Sequence, residues 1–364
     1  MKKTDIPSIT FAARIAKLQT QLDEKHIYAI LIEKASNIFY LSGYIATSET
    51  EREALLLVTQ KESYLAISPL SEYNSPTTSR NVLRAEKGDF YRALLAKLPT
   101  PTKVYFENSM RHYEYLYLKK LANTTELQPI SGLVESLRTI KDTFELSALK
   151  EADKTTRTVL HTFLEKLPTY KTEQKAAFKL QQMLEKKTLE RVAFSPIVAS
   201  GTHTVTPHHT PNTRAISDIS IVDCGARFHG YCADITRTVC KDTKKIDVLR
   251  AIEAVKKAYN ASLSQIRVGM KSKDAFKIAF DVLKKYHLHT FFIHSLGHGV
   301  GIDIHELPHL SPNSDEILRS GMVFSLEPGV YIPGKFGVRY ENTVALTDSG
   351  CRELRILGEK LYTV

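Results

Sequence analysis

Four histidines fall within twenty residues, "IHSLGHGVGIDIHELPHLSP" at 293–312, and the stretch contains a formal H-E-x-x-H. A zinc-protease helix needs both histidines of that motif on one helical face, a turn apart. Here Pro308 takes the fourth place and pushes Leu307 out of the helical region, while Ile302 and Ile304 alternate upstream as in a strand. The match is therefore a coincidence, and the stretch also lacks the G-x-G-x-x-G of a phosphate loop. Freed from the motif, His298 stands between Gly297 and Gly299, where bare backbone lets an ion come close and the imidazole point inward. It is the candidate ligand; His294 and His305 are expected to line the same cleft, and His309, next to Pro308, to lie on the surface.

Acids in apolar runs supply the partners. "SIVDCG" and "VFSLEPGVY" each bury a carboxylate that is costly unless compensated. In the first, a turn centred between Phe228 and His229, with Gly230 supplying a positive φ, sets Asp223 opposite Asp234. In the second, a turn centred on Gly334 sets Glu327 opposite Glu341. Facing side chains sit roughly 4.5–5.5 Å apart at Cβ, and like charges so placed destabilise a sheet unless something positive lies between them. Four carboxylates and one imidazole match the needs of two divalent cations. Arg339 shares strand parity with Glu341 and is expected to steady it from behind.

The elements that must position these groups can be read from periodicity. "ITFAARIAKLQTQLDEK" has helical spacing, and "YAILIEK", "NIFYLSGY", "EALLLVT" and "SYLAIS" read as short strands of an α/β layer. Asp142 with Glu145 forms a helix-opening capping box, and a domain boundary is placed there: an amino-terminal domain over 1–136 and a catalytic domain over 137–364. Beyond it the chain does the same thing twice. Helices near 143–166 and 172–187 lead to the first hairpin, and helices near 245–266 and 272–286 lead to the second. Two helix pairs backing a largely antiparallel sheet make an α+β fold.

With 364 residues, 43% of them apolar, the chain can support two domains. No apolar run reaches membrane-spanning length and no secretory pattern opens the chain, so a soluble, cytoplasmic protein is expected. The four cysteines, Cys224, Cys232, Cys240 and Cys351, lack C-x-x-C spacing and read as small hydrophobes in a reducing compartment. The net charge of +10 is spread over short lysine pairs with no basic tract, which describes a generally basic surface and not a nucleic-acid binder.

Taken together, "IVASGTHTVTPHHTP", "IVDCGARFHGYCADITRT", "HSLGHGVGIDIHELP", "SLEPGVYIPGKFGVRYENT" and "NIFYLSGY" resemble the Xaa-Pro peptidases of the creatinase/aminopeptidase "pita-bread" fold, the prolidases and aminopeptidases P. The resemblance covers nearly the whole chain. It implies five metal ligands: Asp234 and Glu341 bridging two ions, Asp223 on one, and His298 with Glu327 on the other. It further implies Glu327 as general base then acid, His305 and His294 as hydrogen-bond donors to the substrate carbonyl, and His208 holding the residue after the cleaved bond. Manganese is the expected metal, with cobalt or zinc possible, the substrate a proline-containing peptide, and the assembly a homodimer. The compact length favours a dipeptidase over an aminopeptidase P. His209, Tyr340 and Asn342 depart from the usual family residues, which bears on subsite shape and not on the metals. A non-catalytic binding module or a metal-free amidinohydrolase of the same fold would have lost ligands that are all kept here.

Overall fold

The computed structural model describes residues 8–46, 48, 51–70, 81–86, 89–99, 102–122, 125–241 and 245–354. The opening "MKKTDIP", read above for a secretory pattern, lies outside them. The chain folds as two compact units, Met1–Arg138 and Thr139–Val364.

In the amino-terminal unit, helix α1 (Ser8–Glu24) precedes β1 (Ala29–Ile32), α2 (Ala35–Ser42), β2 (Ala54–Thr59), β3 (Ser63–Ile67) and β4 (Asn81–Arg84). There follow α3 (Phe90–Leu95), β5 (Lys103–Glu107), α4 (His112–Leu121), β6 (Glu126–Ile130) and α5 (Leu133–Thr139). The six strands form one sheet in the order β4-β3-β2-β1-β5-β6. β1 and β2 are buried along their whole length, which is why they read as unbroken apolar runs. The same property misled the reading of "NIFYLSGY": residues 37–42 belong to α2, not to a strand. Its residues Ser36 to Ser42 are all buried, so no polar face marks the helical period, and Gly43, at φ 72°, ends the helix with its N–H on the Phe39 carbonyl (2.8 Å).

The second unit carries the duplicated plan. α6 (Thr143–Lys166) starts at the expected capping box: Asp142 accepts from the Glu145 backbone N–H, and the Glu145 carboxylate accepts from that of Asp142 (both 2.9 Å). α6 and α7 (Glu173–Thr188) pack on a three-stranded sheet of β7 (Ile197–Ser200), β8 (Ile219–Cys224) and β11 (Ile235–Cys240), burying Phe163, Leu180 and Leu184 against Val222 and Ile235. The short strands β9 (Arg227–Phe228) and β10 (Tyr231–Cys232) close the first hairpin. Helices α8 (Ile246–Gln265) and α9 (Ser272–Lys285) back a second sheet, burying Val255, Ala279 and Leu283 with Phe324, Leu326 and Val344. That sheet holds β12 (His298–Gly299), β13 (Glu306–His309), β14 (Val323–Leu326), β17 (Asn342–Thr347) and β18 (Gly350–Glu353). β15 (Gly329–Ile332) and β16 (Phe336–Arg339) form the tip of the second hairpin. The result is an α+β fold; "HELPH" is a strand, and among the described residues no helix is long and apolar enough to cross a membrane.

The second hairpin has the expected register. Gly334 turns at φ 71°, Gly329 pairs with Arg339 and Leu326 with Asn342, so Glu327 and Glu341 face each other in the gap between two ladders. The first hairpin is shifted. Its turn is at His229–Gly230 (φ 51° and 81°), one position later than expected, so Asp223 pairs with Thr236 and Asp234 lies two residues short of it. Because side chains alternate with period two, a shift of two leaves both aspartates on one face.

Candidate metal centre

The two ribbons are tied to each other by backbone. Glu341 donates its N–H to the Thr236 carbonyl (3.2 Å), Arg339 donates its N–H to Thr238 Oγ1 (3.0 Å), and Thr238 Oγ1 donates back to the Arg339 carbonyl (2.8 Å). Thr343 Oγ1 accepts from the Asp234 main-chain N–H and donates to the Asp234 carbonyl (each 3.1 Å). These bonds bring Asp234 and Glu341 together, and His298, on β12 beside β14, completes a group in which one potential ligand atom from each residue lies within 4.8 Å of the others. His298 Nε2 is also 3.4 Å from Glu327 Oε1 and 3.6 Å from Asp234 Oδ2. Asp223, on the first hairpin with Asp234, is an electrostatic neighbour of Asp234, Glu327 and Glu341.

Asp223, Asp234, His298 and Glu341 are buried. Among the described residues, the buried cation facing the four carboxylates is Arg339, so full ionisation leaves an excess of negative charge in a low-dielectric site. Burial, reinforced by the neighbouring carboxylates, pushes Asp234 and Glu341 well above the usual carboxylate range. Burial lifts Glu327 to about 7 against the pull of Arg339.

Three observations fit this donor set to divalent cations. His298 Nδ1 is 3.2 Å from the Gly299 carbonyl, which can only accept, so Nδ1 carries the hydrogen and Nε2 aims a lone pair at two carboxylate oxygens. Burial keeps that ring neutral, lowering it to about 3, so the imidazole itself brings no positive charge to the carboxylates. Asp223 Oδ1, finally, is buried without a hydrogen-bond partner. Hard oxygen donors with one imidazole suit manganese, cobalt or zinc.

The surrounding groups are arranged around Arg339, whose expected partner was Glu341. Its guanidinium instead bonds Asp223 Oδ2 (2.7 Å), while Glu341 Oε2 accepts from Thr236 Oγ1 (2.6 Å). The register explains the exchange: Thr236, opposite Asp223, sits between the two acids and also accepts from Arg339 Nε (3.0 Å). Arg339 donates further to Tyr331 Oη (2.9 Å), which lies 3.0 Å from His294 Nε2. His294 Nδ1 faces the Ser295 carbonyl (2.8 Å) and must donate to it, so Nε2 accepts from Tyr331 and both ring nitrogens are engaged. Burial lowers His294 to about 4 and keeps it neutral.

His305 is exposed, with its ring centroid 4.1 Å from that of His298. His208 is also exposed and acts electrostatically on both His294 and His305. His309 is at the surface. The glycines beside His298 serve the sheet and not an ion: a Cβ at Gly297 would lie 1.9 Å from the Ser325 carbonyl oxygen, and one at Gly299 2.0 Å from that of Leu307. Glu306 of "HELPH" is spent on a buried ion pair with Lys141 (2.6 Å). Sequence reasoning passed over Tyr331; the usable signal was Gly337, which lies opposite it and makes room for its ring.

Residues 14–140 match the creatinase/prolidase N-terminal domain and residues 147–348 match metallopeptidase family M24. The chain is 30% identical to the Xaa-Pro dipeptidase of Pyrococcus furiosus over 344 residues, 94% of this chain and 97% of that protein. Its fold is similar to recombinant prolidase from Thermococcus sibiricus (TM-score 0.86, 32% identity, 98% of this chain and 99% of that one). It is also similar to an X-Pro aminopeptidase from Thermotoga maritima (TM-score 0.82, 27% identity, 94% and 100%). A carboxylate-rich, histidine-containing centre held between two hairpins, on a chain whose two units match both family domains, places this protein in the M24 metallopeptidase family as a peptidase of the prolidase type.

Proposed function

We propose that the protein is an Xaa-Pro dipeptidase whose two divalent cations are held by Asp223, Asp234, His298, Glu327 and Glu341. The observation that carries this is the lone pair of a neutral, buried His298 aimed at two carboxylates, in a site with too few positive charges. When bound, such cations lower the pKa of water toward neutrality and polarise a peptide carbonyl. The protein's own groups do the rest. Glu327 Oε1 accepts from Ser325 Oγ (3.2 Å), leaving Oε2 to take a proton from the nucleophile and deliver it to the leaving nitrogen. His305 donates a hydrogen bond to the substrate carbonyl, and His208 holds the residue after the cleaved bond.

Beside the expected role of His294 as a donor to the substrate carbonyl, its contacts support a positioning role. With both nitrogens engaged it orients Tyr331 and, through it, Arg339. A proline substrate offers no N–H at the scissile bond and a locked φ, so recognition falls to the ring and to the two chain ends.

The likeness to the Pyrococcus furiosus and Thermococcus sibiricus proteins supports the dipeptidase. The likeness to the Thermotoga maritima aminopeptidase supports a second reading, action on longer Xaa-Pro peptides. Manganese as the working metal, a homodimer and a cytoplasmic location are proposed on the family resemblance. Hydrolysis of an Xaa-Pro dipeptide and of an Xaa-Pro-Yaa tripeptide, each with manganese added, separates the two readings. The dipeptide is expected to be cut far faster. Glu327→Ala should remove at least the 10²–10⁴-fold that a general acid–base contributes; undiminished hydrolysis by that variant would refute the role of Glu327.

A further inference from the structure

A second convergence of ligand side chains lies apart from the carboxylate centre. Glu173, the first residue of α7, has a fully buried side chain (0% exposed). Its Oε1 accepts from the Ser200 backbone N–H (2.7 Å) and its Oε2 from that of Asn212 (3.3 Å). Two imidazoles close on the same carboxylate. His203 Nδ1 is 3.0 and 3.1 Å from its two oxygens, and His209 Nε2 is 2.8 Å from Oε2. The ring centroids of the two histidines are 4.5 Å apart, and one ligand atom from each of the three residues lies within 4.8 Å of the others.

The chemistry of this set differs from that of the carboxylate centre. Nitrogen-to-oxygen separations near 3 Å are roughly those of neighbouring ligands on an ion whose bonds are about 2.1 Å long. Two imidazoles and one carboxylate, with further positions open, form a donor set used by zinc and by related first-row ions, and imidazole favours these over manganese, magnesium or calcium. The carboxylate is sealed, while the histidine side chains are 28% and 10% exposed, which provides a way in for an ion. Backbone donors on both Glu173 oxygens hold the carboxylate in place, as the supporting groups of a metal ligand do.

We propose that Glu173, His203 and His209 bind an additional divalent ion of the zinc class. The segment that closes on this ion carries His208 between its two histidine ligands, so binding fixes the backbone from which His208 projects. The site stands on these three residues and does not depend on how the carboxylate centre is read.

The test uses the full chain, stripped with chelator, loaded with Co2+ or Zn2+ and freed of excess metal, with the ions per chain then counted. His203→Gln/His209→Gln should hold one ion fewer per chain than the unaltered protein. Asp234→Asn/Glu341→Gln should keep that ion and, loaded with Co2+, show visible absorption that disappears when both histidines are also replaced. Equal metal content in the unaltered chain and in the histidine variant would overturn the proposal and leave the imidazoles as hydrogen-bond partners of Glu173. Should the variants fail to fold, proton spectra of the unaltered Co2+ protein decide. Three hyperfine-shifted imidazoles, from His203, His209 and His298, are expected. His298 alone would overturn the proposal; His203 and His209 without His298 would support it and overturn the reading of the carboxylate centre instead.

Discussion

Tyr331 shows how much of the centre rests on single polar atoms. Its hydroxyl accepts from Arg339 and donates to His294, and its burial raises the phenol to about 12, so it remains a donor throughout the working range. Tyr331→Phe strands the His294 lone pair and one guanidinium donor in a buried site. A loss of about 1–3 kcal/mol is expected in urea unfolding, with reduced turnover and unchanged metal content; unaltered stability would mean that the hydroxyl bridges nothing. The acids at 223, 234, 327 and 341 stood out in the sequence because charge inside an apolar run demands an explanation. Tyr331 did not, because tyrosine in a strand is ordinary. Arg339 was picked out by its strand parity, and it does act on Glu341, electrostatically and through Thr236, but its direct ion pair is with Asp223, since parity gives the face and not which of two acids on that face the guanidinium reaches.

At the scale of elements, the hairpins do the positioning. The tip of the second is packed against the loop before β8: a Cβ on Gly337 would lie 2.0 Å from the Thr204 carbonyl oxygen and 2.8 Å from the Tyr331 ring. Gly337→Ala should therefore cost at least the 1–3 kcal/mol typical of overpacking, roughly, and should loosen the metal centre as well. Thermal melting with and without metal would show it; a neutral effect on both would mean that the tip is not held there. The two registers were legible to different degrees. Gly334 marked one turn without ambiguity, whereas at "RFHG" the non-glycine His229 takes a positive φ, a choice made by the surroundings. The α2 segment was misread for a related reason, because burial on all sides erases the periodicity that separates helix from strand.

For the whole molecule, the centre links metal, pH and stability. Without cations, burial raises Asp234, Glu341 and Glu327, the last from 4.5 to about 7, so the folded chain holds protons that the unfolded chain releases. For Glu327 that contribution is complete below about 4.5 and is lost as pH rises through about 7. On the proposed ligand set, cations would take the place of those protons. The rise in melting temperature on adding Mn2+ to chelator-treated protein should thus be larger at pH 8 than at pH 5, and a gain independent of pH would contradict the electrostatic account. What the sequence by itself determined was composition and pattern: which acids sit in apolar runs, where Asp142 starts a helix, how the helix pairs and hairpins recur, and that "HELPH" cannot be a zincin helix. Those are local properties, fixed by side-chain chemistry and by backbone sterics within a few residues. Only the tertiary structure decided that Arg339 serves Asp223, that His294 is tied to Tyr331, that the glycines around His298 make room for neighbouring strands, and that His203 and His209 meet on Glu173. Each of these joins residues from separate elements, and an approach of 3 Å between them follows from packing, which no spacing along the chain encodes.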